Sequence, residues 1–151
     1  IMNNQLRSLP DCEIIKAISD VQIKSTFRVM RQLRPNLDES VYLEQIRRLQ
    51  DEQGYNLLAL THQGEVKSVA GYRVNESLSW GRFMYVDDLI TDEGSRKSGF
   101  ARYLLDWLIA EARSLQCRQL HLDSGVLRYD AHRLYLTAKM RISCHHFEMD
   151  V

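Results

Sequence analysis

The stretch Tyr85–Ala112, YVDDLITDEGSRKSGFARYLLDWLIAEA, constrains the fold more than any other part of the chain. Tyr85 to Thr91 has the composition of a strand bounded by turn residues. A helix is expected from near Ser98 to about Leu115. Within it Ala101, Leu104, Leu105, Leu108, Ile109 and Ala112 recur at i, i+3, i+4, i+7, i+8 and i+11, a stripe suited to covering a sheet. Between strand and helix lies Arg96-Lys97-Ser98-Gly99-Phe100-Ala101. A helix start offers backbone N–H groups without intrahelical partners, together with the positive end of the helix dipole. Gly99 and Ala101 let an anion approach that backbone, so the turn describes a pyrophosphate seat. The plainer alternative is an ordinary strand-to-helix turn capped by Ser98.

The spacing Arg-x-x-Gly-x-Ala at Arg96, Gly99 and Ala101 resembles the acyl-CoA-binding signature of the GNAT-type N-acetyltransferases, Arg/Gln-x-x-Gly-x-Gly/Ala. The flanks Val86-Asp87-Asp88-Leu89 and Arg102-Tyr103-Leu104-Leu105 are similar to that family as well, and the resemblance extends from Cys12 to Phe147. It implies acetyl-CoA as co-substrate, with Arg96, Lys97, Ser98, Gly99, Phe100, Ala101 and Arg102 around its pyrophosphate. It also implies that the thioester arm lies along the main chain of Leu89, Ile90 and Thr91, almost as an added strand.

The rest of the chain is compatible with that frame. Asp11 to Ala17 reads as a first strand. Ser19 or Asp20 caps a helix with Ile23, Phe27 and Met30 on one face; Asn36 or Asp38 caps a second with Tyr42, Ile46 and Leu49, closed by Gly54. Their basic outer faces, with Arg28, Arg31, Arg34, Arg47 and Arg48, suit either a lid or plain solvated packing. A meander follows: Tyr55 to Thr61, a turn at His62-Gln63-Gly64-Glu65, Val66 to Val74, a turn at Asn75-Glu76-Ser77, and Ser79 to Thr91. After the central helix come a strand at Cys117 to Ser124, a helix at Tyr129 to Ala138 and a last strand at Ile142 to Glu148. Strand, helix and strand in this order demand a parallel pair. The expected fold is α/β (α+β), a mixed, mostly antiparallel sheet with helices on both faces and a splayed parallel pair near its middle, in one domain spanning 1–151.

Amine acetylation requires proton management. An alkyl amine of pKa about 10.4 is mostly protonated near neutral pH and attacks only after losing that proton. Asp87 and Asp88 stand in the strand that would face the acceptor, and alternation sends them to opposite faces. The resemblance favours Asp87 as the acid that manages the amine; the alternative is that both acids cap turns or pair with arginines. Ala131-x-x-x-Tyr135 resembles the family's last-helix motif, whose tyrosine protonates the departing thiolate. Arg128 replaces that motif's asparagine, and Lys139-Met140 stands where the family has its glycine-phenylalanine ending. His145, His146 and Glu148 lack metal-site spacing, so no metal is expected.

Twenty basic and twenty acidic side chains cancel, which removes any global attraction to nucleic acid or anionic membrane. No apolar run approaches the roughly 20 residues of a membrane span, and no leader pattern opens the chain. Three widely spaced cysteines, Cys12, Cys117 and Cys144, suit reduced thiols in a cytoplasm. The expected activity is acetyl transfer from acetyl-CoA to a primary amine, on a small molecule or a protein, by direct attack in a ternary complex. The alternative is a catalytically silent CoA-binding or protein-interaction module. A homodimer is compatible with either.

Overall fold

The first two helices start where their capping chemistry directs. In the computed structural model, which describes residues 9–151, Ser19 accepts from the Gln22 backbone N–H while the Gln22 side chain accepts from the Ser19 backbone, a capping box that opens α1 (Asp20–Leu33). Asp38 caps α2 (Glu39–Gln53) through the Ser40 N–H, and Gly54 ends it in the left-handed conformation at φ 63°. The strands are β1 (Cys12–Lys16), β2 (Asn56–His62), β3 (Glu65–Ser77), β4 (Gly81–Thr91) and β5 (Gln119–Leu122), and the remaining helices are α3 (Phe100–Ser114) and α4 (Tyr129–Thr137).

The sheet runs β1-β2-β3-β4-β5, antiparallel as far as β4 and parallel from β4 to β5. Gln63 and Gly64 take positive φ of 52° and 81°, which lets a two-residue turn join β2 to β3. The second turn lies later than the sequence suggests. Asn75 to Ser77 still pair with Phe83 to Gly81, and the reversal occurs over Leu78, Ser79 and Trp80. Ser77 Oγ accepts from the Trp80 N–H, and Gly81 supplies φ 65°.

One sheet face packs on α1 and α2 through Ile23, Phe27, Val29, Met30, Tyr42, Ile46, Leu57, Ala59, Val69 and Ile90. These two helices are therefore core elements, with their arginines at the margin. The opposite face buries Leu58, Ala70, Tyr72 and Met84 with Leu104, Leu105 and Leu108 of α3. Tyr72 reaches Glu111 of α3, which also pairs with Lys16.

The chain divides at the end of β5 into one compact unit ending at His121 and a second, Leu122–Val151. In the second unit His132 bonds the Gly125 carbonyl, Arg133 pairs with Asp130, and His146 lies 3.2 Å from Asp123. The strand expected from Ile142 to Glu148 does not form, and Ile142 and Phe147 remain 80% and 90% exposed. The apolar alternation changes phase between Cys144 and Phe147, so neither face of such a strand would be consistently apolar.

The site described below depends on Gly71 of β3. A Cβ there would fall within the ring and hydroxyl of Tyr55, which crosses the strand at that point. Gly71→Ala should cost about 1–3 kcal/mol in urea unfolding. Tyr55→Ala in the same chain should recover part of that loss, whereas strictly additive losses would show that the two do not touch.

Candidate functional site

β4 carries one residue more than β3 can pair. Gly71 pairs with Asp88, yet the next residue, Tyr72, pairs with Val86, so Asp87 is the extra residue of a β-bulge. Simple alternation would send Asp87 and Asp88 to opposite faces. The bulge corrects that expectation: both carboxylates line one open cavity of about 420 Å³, with Arg73 and Tyr55 beside them and Arg48, Leu49, Glu52 and Gln53 of α2 on the facing wall.

Each acid has its own guanidinium. Arg73 Nε and Nη2 donate to the two Asp87 oxygens at 2.9 and 2.6 Å. Arg34 Nε donates to Asp88 Oδ1 at 2.9 Å, its Nη2 donates to the Asp87 carbonyl, and Tyr55 donates its hydroxyl to Asp88 Oδ2 at 2.7 Å. Burial, reinforced by Asp88, holds the Tyr55 phenol well above its usual range, so it stays a donor. The Asp87 side chain is 22% exposed and that of Asp88 13%. Asp87 is thus the acid more open to an incoming molecule. The sequence alternative of arginine pairing holds for both acids, and it leaves them facing the cavity.

The distal half of β4 extends beyond the length of β5. The bond from the Arg118 N–H to the Arg82 carbonyl sets where β5 begins, and β5 has four residues against eleven in β4. Leu89, Ile90 and Thr91 pair with Ala70, Val69 and Ser68 of β3, and on the other side they run past the end of the short parallel partner.

Beyond β4 the chain bends into a 3-10 turn, Glu93–Ser95, and then into α3. Lys97 and Gly99 both take left-handed backbone, at φ 64° and 83°. Changes of hand of this kind turn successive amide groups inward to form an anion-binding concavity. Gly99 is itself the N-cap, without a side-chain cap bond, so Ser98 does not cap the helix and α3 begins at Phe100. A Cβ at Gly99 would meet only the Leu9 side chain, at an ordinary contact distance of 4.0 Å, so its conformation, and not crowding, calls for glycine. Arg96, Lys97, Ser98 and Gly99 are exposed, Phe100 is buried against His62, and Arg102 is tied to Asp106 at 2.9 Å.

Asp92 anchors this loop, a role the sequence did not reveal. Its carboxylate accepts from Gln32 at 2.8 Å and pairs with Arg28, while Gln32 in turn accepts from the Glu93 N–H. Gln32 and Arg28 hold the Asp92 carboxyl below the usual range against the opposing effect of burial. Asp92, Arg34 and Arg73 carried no local signal, because each matters through a partner 14 or more residues away.

In the second unit, Tyr135 sits on α4, and burial pushes its phenol above the usual value, partly offset by Arg128. No cluster of metal-ligating side chains occurs among the described residues. None of their helices is long and apolar enough to cross a membrane.

Comparison with known proteins agrees with this geometry. The model of the Acetyltransferase (GNAT) family matches residues 22–139. The chain is 31% identical over 115 residues to YhdJ, an uncharacterized N-acetyltransferase of Bacillus subtilis, covering 76% of this chain and 80% of that protein. The fold is similar to that of an acetyltransferase of Trypanosoma brucei, with a TM-score of 0.77 at 20% identity over 93% of this chain and all of that one. It is also similar to that of a transcriptional regulator of Bacillus halodurans, with a TM-score of 0.80 at 16% identity over 93% and 99% of the two chains. From the sheet with its parallel pair to the Arg96–Ala101 turn and the family match, the chain belongs to the GNAT acetyltransferase family.

Proposed function

We propose that the protein transfers an acetyl group from acetyl-CoA to a primary amine by direct attack within a ternary complex. The observation that carries this reading is the build of β4. One strand brings two carboxylates into an open cavity, continues past the length of its short parallel neighbour, and delivers the chain to a glycine-capped helix start. Amine, thioester and pyrophosphate need those three environments in that order.

The exposed Arg96, Lys97, Ser98 and Gly99, with the first amides of α3 at Phe100, Ala101 and Arg102, suit the pyrophosphate of acetyl-CoA. The two left-handed residues are the structural feature that fits this anion. The pantetheine arm lies along Leu89, Ile90 and Thr91, where the main-chain N–H groups that point away from β3 stabilise charge developing on the thioester carbonyl.

The amine enters protonated and must lose that proton before its lone pair can attack. Asp87, directly or through a water it orders, is the acceptor of that proton. Its pairing with Arg73 leaves further lone pairs on the carboxylate to meet an ammonium. As the new C–N bond forms and the C–S bond breaks, the thiolate takes a proton from Tyr135. A phenol raised above its ordinary pKa is fully protonated at neutral pH, the state a general acid requires.

A panel of amines assayed for release of free CoA tests the reading directly. Acetyl-CoA binding without release for any amine would leave a silent module instead. Asp87→Asn should leave acetyl-CoA affinity unchanged while kcat/KM climbs more steeply with pH below the acceptor's own pKa, since only amine deprotonated in bulk could then react. An unchanged acidic limb would remove Asp87 from the mechanism. Tyr135→Phe deletes one oxygen and keeps the ring, so kcat should fall by about 10²- to 10³-fold. Acetyl-CoA affinity should stay within a few-fold. Full activity in that variant would make water the proton donor.

A further inference from the structure

The α2 wall of the Asp87–Asp88 cavity carries charges that the fold leaves uncommitted. Arg48 and Glu52 both line it, one helical turn apart. Among the described residues neither makes an ion pair, although each floor acid holds its own arginine and the adjacent Arg47 is bound to Asp20 at 2.6 Å. The order of the two matters. An acid placed four residues before a base is the favourable helical arrangement, and here the base comes first. Arg48 thus lines the cavity without a carboxylate partner, and its side chain ends in a planar fork of donors matched to a carboxylate or a phosphate.

Arg73 and Arg34 cannot take that part, because both are committed to the floor carboxylates. A ligand with a second ammonium would meet Arg48 across the cavity from the floor, and like charges there oppose binding. A ligand with an amine at one end and an oxyanion at the other meets complementary charge at both. Glu52, about 6 Å further along the helix axis, disfavours a second oxyanion. We propose that Arg48 receives an oxyanion, carboxylate or phosphate, carried by the acceptor itself, so that the acceptor is an amine-bearing acid and not a plain alkyl amine or polyamine. This rests on the cavity being the acceptor site of the acetyltransferase.

Matched probes decide it, with CoA release from acetyl-CoA as the readout. 5-Aminopentanoate against pentylamine and phenylalanine against phenylalaninamide test the carboxylate; 2-aminoethyl phosphate against ethanolamine tests the phosphate; spermidine supplies a cationic tail. The anionic member of at least one pair should exceed its neutral partner by about 10-fold or more in kcat/KM, chiefly through KM. The pair that shows this identifies the oxyanion. Arg48→Gln should erase the preference and Arg48→Glu should shift it towards spermidine, while Arg47→Gln keeps it. Equal rates within every pair, or a preference that survives Arg48→Gln, would overturn the inference and leave acetyl transfer standing. No CoA release with any probe, despite acetyl-CoA binding, would count against the acetyltransferase reading and take this inference with it.

Discussion

The register of β3 against β4 is the constraint on which the site depends. Because Gly71 faces Asp88 while Tyr72 faces Val86, β4 must absorb one unpaired residue, and that residue is Asp87. Without the bulge, one of the two acids would point at α3 and its charge would be buried against an apolar layer, at considerable cost. With it, both acids share a cavity and each receives a guanidinium. Gly71 completes the arrangement by leaving room for Tyr55 to cross the strand and donate to Asp88.

Helix α1 ties the two ends of this strand segment together. Arg34 at its C-terminal end reaches Asp88 and the Asp87 carbonyl, while Arg28 and Gln32 hold Asp92 at the far end of β4. The arginine side chains are 61% and 52% exposed, so each ion pair alone contributes modestly. Their joint effect is positional. One helix fixes both the carboxylates of the cavity and the loop that leads to Gly99, so cavity and turn sit on a common support.

Much of this was legible in the sequence. Helix starts at Ser19 and Asp38, the stop at Gly54 and the stripe on α3 follow from local chemistry, and the structure has them where the residues indicate. The Arg96–Ala101 turn was visible for the same reason: its glycine answers a conformational need within a few residues. Asp87 and Asp88 were visible as a pair, but not their shared face, since a bulge is a mismatch between two strands and leaves no mark on either alone. Arg73, Arg34 and Asp92 were silent because their partners are remote in sequence. Ile142 to Glu148 has β-like composition but forms no strand, because its apolar phase slips.

In the proposed function a single strand serves acetyl-CoA along its flank and at the helix start that follows. Backbone amide resonances followed during titration with CoA test this most directly. The account predicts that the largest shifts fall on Leu89 to Thr91 and on Lys97 to Arg102, with the α2 wall at Arg48 to Gln53 little changed until an amine is added. Shifts concentrated on the α2 wall, with the Lys97 to Arg102 amides unmoved at saturating CoA, would contradict it.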